Sequence, residues 1–326
     1  MKCINIDING DVTMSLLKSV KKIVFLAPVR CGRTFYAVEI KETADKISVE
    51  FTPTDEYLMV DPRRENEAFM PEHIHLFEKW QHVGLALSSL EYFLKENNIT
   101  YSYTRNEKSA EIVMDRDDRD HYEGVQKQEK LKHAHRTFNP EIAVDAETVD
   151  EFNKLIDSFL STHTGHKIIV TDSGLRKKLA SLATYWGSAG DFNAHIRPPQ
   201  MVTTPMMISV PPEQYDTQYW FDMGRLYATI GLTALARDYQ VAFCNAFNMF
   251  DPRIARVEDL LHVKFGTYTT ENVIPRPWIC IGKALDPTKP HNWVGVENRY
   301  DDDTMITCIL TTKDYVTVIQ EESESV

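Results

Sequence analysis

Three nucleotide- and nucleophile-binding fingerprints are missing from these 326 residues: G-x-G-x-x-G, G-x-x-x-x-G-K-[ST] and G-x-S-x-G. Rossmann, P-loop and α/β-hydrolase readings therefore have nothing to stand on. No apolar run approaches the roughly 18 consecutive residues of a membrane helix. The opening MKCINIDINGDV puts polar and acidic residues where a signal peptide needs an apolar core. A cytoplasmic chain with no membrane partner is expected. Paired cysteines are lacking too: Cys3, Cys31, Cys244, Cys280 and Cys308 are scattered, odd in number and never in C-x-x-C spacing. Neither a disulfide framework nor a zinc site is suggested, and they read as small buried hydrophobes. Finally, 36 Lys and Arg face 48 Asp and Glu, a net charge of −12, with no basic face. A nucleic-acid partner is disfavoured, so an anionic ligand would be met by a few placed arginines.

A hydrophobic content of 43% over 326 residues suffices for one large core or two smaller ones. Residues 220–248 read as a helix feeding a strand. Met223, Leu226, Tyr227, Ile230, Ala234 and Leu235 recur at helical spacing, and Val241, Ala242, Phe243 and Cys244 make a short apolar run of strand size. Along the chain, helices are predicted at residues 14–26, 71–97, 145–160 and 173–184, with Asp145 as N-cap of the third. Strands are predicted at 35–40, 46–51, 99–103, 167–170, 206–210, 278–282, 304–310 and 315–319, and the charged residues 105–132 read either as a linker with one short strand at 111–114 or as a solvated helix. Residues 53–71 read as loop.

A shift of 140 residues lays Trp80 on Trp220, Gly84 on Gly224 and Leu90 on Ile230, with the strand at 99–103 on 239–243. A shift of 132 lays residues 16–40 on 148–172. This order predicts an internal duplication: an N-terminal half at 1–115, a charged linker at 116–132 and a C-terminal half at 133–326. Two fused copies would bury the same face against each other, as the subunits of a two-fold dimer do.

Several segments resemble the FMN-dependent nitroreductase family. HRTFNP at 135–140, followed by VDAETV at 144–149, is similar to the family's R-x-x-R-x-F turn and first helix. LAPVRCGRTFY at 26–36 resembles its A-P-S-x-x-N-x-Q-P-W-x-F break, residues 220–248 its long central helix and following strand, and PWICIG at 277–282 its late strand. With VDPRRE at 60–65 ahead of the first central helix, the ordering looks most like the branch whose subunit is a fused, pseudo-symmetric pair of halves. The resemblance implies an α+β fold: mixed or antiparallel sheets flanked by helices, with long central helices packed about a pseudo-two-fold axis. It also implies FMN as cofactor, NAD(P)H and a small-molecule substrate as partners, and a monomer that is itself a pseudo-dimer.

On the family's positions Arg136 would meet the FMN phosphate, with His135 and Asn139 beside it. Arg30 and Arg33, in the break, would replace its missing serine and asparagine donors. Arg299 falls near the phosphate, and Cys244, Asn245 and Ala246 would offer backbone groups to the ring. A guanidinium fork suits phosphate oxygens, though each arginine also reads as an ion-pairing surface residue among many carboxylates. No catalytic acid or base is expected, because hydride chemistry belongs to the flavin. His163, Thr164 and His166 lack a ligand pattern, so no metal is expected. The departures in the break, with Val29 and Gly32 where the family carries donors and no Q-P-W after them, keep a second reading open. It is a non-catalytic, flavin-sequestering or flavin-less ligand-binding or interaction protein.

Overall fold

The computed structural model describes residues 15–26, 33–59, 72–119, 122–124, 142–164, 166–172, 174–175, 205–209, 216–244, 278–283 and 316–320. The predicted strand at 304–310 and nearly all of the helix at 173–184 lie outside these. Helix α1 (Leu16–Leu26) buries Leu16, Val20, Ile23 and Val24 on one stripe. It leads to the hairpin β1 (Arg33–Glu42) and β2 (Lys46–Met59). Tyr36, Val38 and Ile40 alternate inward on β1, and Ile47, Val49 and Phe51 on β2. β2 runs past its expected end at Phe51, through the first seven residues of the stretch that reads as loop. Pro53 pairs with Tyr36 at a register shift, so the missing N–H is absorbed in the irregularity and pairing resumes to Met59.

Helix α2 (Glu72–Glu96) follows, then β3 (Tyr101–Arg105) and β4 (Ala110–Asp115). The charged stretch that comes next begins folded back on α2. The Asn97 side chain donates to the carbonyls of Phe93 at 2.8 Å and Glu123 at 3.0 Å, and accepts from the Glu123 N–H at 2.9 Å. In the second part of the chain come α3 (Ala146–Leu160), β5 (His166–Ile169), β6 (Pro205–Ser209), α4 (Thr217–Ala236), β7 (Gln240–Cys244) and β8 (Trp278–Gly282). Last is β9 (Val316–Gln320). No described helix is long and apolar enough to cross a membrane.

Two sheets result, in an α+β arrangement. The first has the order β3-β4-β2-β1-β9, and the second, read from its far end, β7-β8-β6-β5. All three pairings within each four-strand set are antiparallel. Hence α1-β1-β2-α2-β3-β4 and α3-β5-β6-α4-β7-β8 have the same order and the same strand neighbours. The fifth strand, β9, adds to β1 in parallel, with Val38 opposite Val316 and Ile40 opposite Val318. It carries the end of the second set of elements into the first sheet.

Between the sheets α2 packs on α4, and the contact is reciprocal. A Cβ on Gly84 would collide with the carbonyl oxygen of Phe221 and lie 3.2 Å from the Arg225 nitrogen; a Cβ on Gly224 would collide with the carbonyl oxygen of Gln81 and lie 3.0 Å from the Leu85 nitrogen. Each pair of equivalents is 140 apart. So are the residues that end the helices: Asn98 and Asp238 take φ of 53° and 59°. This left-handed conformation is one that Asn and Asp tolerate better than most residues. The Ile99 N–H donates to Leu94 and the Tyr239 N–H to Ala234, both at 2.9 Å, the closing bonds of a helix C-cap. Over residues 79–94 α2, and along most of its length α4, are buried nearly all round, so the apolar stripe read from 223–235 is one side of a core helix. Full burial of each Leu, Phe or Met here removes enough apolar surface to stabilise by roughly 1.5–3 kcal/mol.

Candidate functional site

The seam between the two sets of elements carries a polar network built by β3, α2 and α4. Strand alternation puts Tyr101, Tyr103 and Arg105 on one face of β3. Helical spacing puts Gln218, Asp222 and Arg225 on one face of α4. Arg225 donates to Glu91 Oε2 from Nη2 at 2.9 Å and from Nε at 3.3 Å, and to the Tyr103 hydroxyl from Nη1 at 2.6 Å. Its guanidinium also lies over the Tyr103 ring, 4.5 Å from the centroid. Glu91, whose side chain is 6% exposed, accepts from the Tyr101 hydroxyl through Oε1 at 3.2 Å. Burial would lower the Arg225 pKa, but the Glu91 charge, with Tyr103 and Asp222, more than offsets it and holds the guanidinium above its ordinary value. Burial, together with the Glu91 charge and hydrogen bond, pushes Tyr101 up to about 12.

Arg105 closes the same seam one step along β3. It donates to Thr217 Oγ1 at 2.6 Å and to Gln218 Oε1 at 2.7 Å. Its guanidinium carbon lies 4.1 Å from the Trp80 ring centroid and 5.4 Å from that of Phe221, a cation–π stack. Burial holds its pKa below the usual value, with Asp222 and Asp216 opposing.

His163, just beyond α3, stacks on Phe159 with centroids 4.4 Å apart and stands edge-on to Tyr219 at 5.4 Å. Its Nδ1 lies 3.1 Å from the Phe159 carbonyl and 2.9 Å from Thr162 Oγ1, and its Nε2 lies 3.3 Å from Asp222 Oδ2. Every charged group in this network has an opposite charge or a fixed dipole facing it. The cluster can clamp and orient.

The N-terminus of α3 is a second polar node. Asp145 Oδ1 accepts from the Thr148 N–H at 2.8 Å, and Oδ2 accepts from the Thr148 hydroxyl at 2.8 Å and the Tyr239 hydroxyl at 2.6 Å. The Tyr239 oxygen in turn accepts from the Asp145 N–H at 3.0 Å. These bonds, that from Tyr239 first, hold the Asp145 carboxyl at about 2. Asp145 is the N-cap that the sequence indicates.

Of the residues chosen from sequence, Arg33 opens β1, with its backbone opposite Met59, and Cys244 closes β7, with its backbone opposite Trp278. They stand on different sheets, and the structure brings no two of the chosen residues together among those described. Arg30, His135, Arg136, Asn139, Asn245, Ala246 and Arg299 lie outside the described residues. Sequence reasoning missed Glu91, Tyr101, Tyr103, Arg105 and Arg225. A signal was available for one of them, since Arg225 shares a polar face with Gln218, Asp222 and Thr229 on an otherwise largely apolar helix. Among the described residues no three His, Cys, Asp or Glu side chains gather as a metal ion would require.

No family model and no curated protein matches the chain. Solved structures that are similar to it include a nitroreductase with bound FMN from Bacteroides fragilis, 13% identical, with 51% of this chain and 91% of that one covered and a TM-score of 0.36. An FMN- and NADPH-dependent nitroreductase from a Sphigopyxis strain is 13% identical, with 54% and 97% covered and a TM-score of 0.36. An NADPH:FMN oxidoreductase from Vibrio harveyi, complexed with NAD+, is 16% identical, with 58% and 85% covered and a TM-score of 0.34.

Proposed function

We propose that the chain is a fused, internally duplicated pair of nitroreductase-like halves that holds one FMN between them and serves as a cytoplasmic NAD(P)H-dependent oxidoreductase for a small acceptor. The observation that carries the duplication is the reciprocal α2–α4 contact, with Gly84 on Phe221 and Gly224 on Gln81 and the same strand order on either side. Residues 1–115 and 133–326 are then the halves, 116–132 joins them, and the pseudo-dimer is a monomer.

Support for the flavin comes from the motifs at 26–36, 135–149 and 277–282 and from the place of Cys244. It ends β7, which among the described residues is the outer strand of its sheet and pairs only with β8. The backbone groups on the open side of an outer strand are free to meet a ring's hydrogen-bonding edge. Cys244, Asn245 and Ala246 take that role. Arg136, with His135 and Asn139, holds the phosphate, and Arg30, Arg33 and Arg299 supply further charge. FMN, when bound, supplies the two-electron chemistry; the chain's part is to orient the ring and leave one face open.

The loss of the family's donors at Val29 and Gly32 favours a second reading, in which FMN is held without turnover or is no longer bound. Purification and titration separate these. A yellow protein that takes up FMN and is bleached anaerobically by NADH or NADPH is the expected result. Yellow protein that neither nucleotide bleaches points to sequestration, and a colourless protein that takes up no FMN overturns both flavin readings.

A further inference from the structure

The face that α2 turns to α4 does not complement itself. At the offset of 140, Arg225 of α4 corresponds to Leu85 of α2, and Glu91 of α2 to Gly231 of α4. The backbone contact is symmetric, since Gly84 meets Phe221 and Arg225 as Gly224 meets Gln81 and Leu85. The charges are not. Arg225 grips Glu91 through two nitrogens, while the symmetry-related positions are Leu85, 5% exposed, and a buried glycine.

If a second α2 packed on α2 in this geometry, Glu91 would face Leu85 of the other copy. A carboxylate 6% exposed would then be left without its cation, which is the costly arrangement for a buried charge. If a second α4 packed on α4, Arg225 would face Gly231. The edge-to-face pair of Trp80 and Phe221, 6.2 Å between centroids, would likewise be exchanged for Trp80 against Gln81. Tyr101 and Tyr103 extend the discrimination from β3, because one donates to Glu91 and the other accepts from Arg225.

We infer that the Glu91–Arg225 pair selects the partner of each half: α2 accepts an α4 and refuses a second α2, whether that α4 belongs to its own chain or to another. The backbone contact supplies a surface on which either pairing could form, and one ion pair decides between them. The inference stands independently of any flavin.

Charge reversal in the full-length chain tests it. Glu91→Arg sets two arginines against each other, Arg225→Glu sets two carboxylates, and the double variant restores a pair with its sign inverted. Each single variant is expected to melt several degrees below wild type. The double variant should recover the wild-type oligomeric state and most of the lost melting temperature. The two single variants, denatured, mixed and refolded together, should form a 1:1 complex by light scattering coupled to size exclusion, because the arginine introduced into α2 of one chain then meets the glutamate introduced into α4 of the other. Single variants indistinguishable from wild type would overturn the inference, as would a double variant that recovers nothing. Recovery in the double variant without a complex in the mixture would also overturn it, by showing a stabilising pair that chooses no partner.

Discussion

Gly84 and Gly224 each occupy the notch that the other's helix leaves open. Glycine is required twice by one crossing, because a side chain on either helix would enter the opposite backbone at a carbonyl oxygen. Alanine normally improves a helix by about 1 kcal/mol over glycine. Here the built Cβ lies 2.9 Å from the Phe221 carbonyl carbon in one case and 2.9 Å from that of Gln81 in the other, and backbone cannot rotate away. Overpacking of this kind costs about 1–3 kcal/mol or more, so the clash outweighs the propensity gain. Gly84→Ala and Gly224→Ala should each lower the thermal midpoint by several degrees in calorimetry. The double variant should cost less than the sum, because the first alanine already parts the helices. Additive losses would mean that the two glycines do not share a crossing.

Arg105 ties the end of β3 to the start of α4. Arg105→Ala removes two hydrogen bonds and the stack on Trp80, a loss of about 1–2 kcal/mol. Arg105→Lys should recover little of it, since an ammonium cannot reach Thr217 and Gln218 together while lying flat on the indole. Denaturant midpoints at unchanged slope measure both.

Asp145 should shape the acid limb of stability. Its folded pKa of about 2 lies below the ordinary carboxylate value of about 3.9. A depressed pKa contributes stability that is present above the unfolded value and is lost as pH falls toward 2. Asp145→Ala should cost about 1 kcal/mol near neutrality, the usual worth of an N-cap, and should flatten the loss between about pH 4 and pH 2. Tyr239→Phe removes the first of the bonds holding the carboxylate and should shift that loss to higher pH. An acid limb identical to wild type in both variants would show that the cap is not formed in solution.

Arg136 carries the proposed grip on the FMN phosphate. Arg136→Ala should weaken FMN binding by roughly 1.5–3 kcal/mol, the worth of a charge-assisted hydrogen bond, or about ten- to a hundred-fold in affinity. Fluorescence titration reads this directly, and an unchanged affinity would remove Arg136 from the site.

What could be read from the sequence is what repeats or alternates. The offset of 140 that aligns Trp80 with Trp220 also aligns the glycine contacts and the left-handed residues Asn98 and Asp238, because each position is dictated by its own short segment. The N-cap at Asp145 was legible for the same reason: an acceptor three residues before a helical N–H is a local event. The continuation of β2 past Pro53 was not, since it depends on β1 supplying a register shift at Tyr36 to absorb the proline. Nor was the seam network. Glu91 and Arg225 lie on different helices, and only packing reveals that they meet. Arg105 read as one more cation in a charged stretch until Trp80 was placed beneath it.

β9 pairs with β1, and so Val316 must find Val38 across nearly the whole sequence. During synthesis the first sheet can pair its two hairpins, β1–β2 and β3–β4, early, but its fifth place stays open until the ribosome has passed residue 320. Late assembly leaves the β1 edge, with its unpaired backbone groups, exposed to whatever strand arrives first. The first sheet is thus fastened by a strand made long after its neighbours, and the order of synthesis, as much as the contacts made, determines how long that edge stands unguarded.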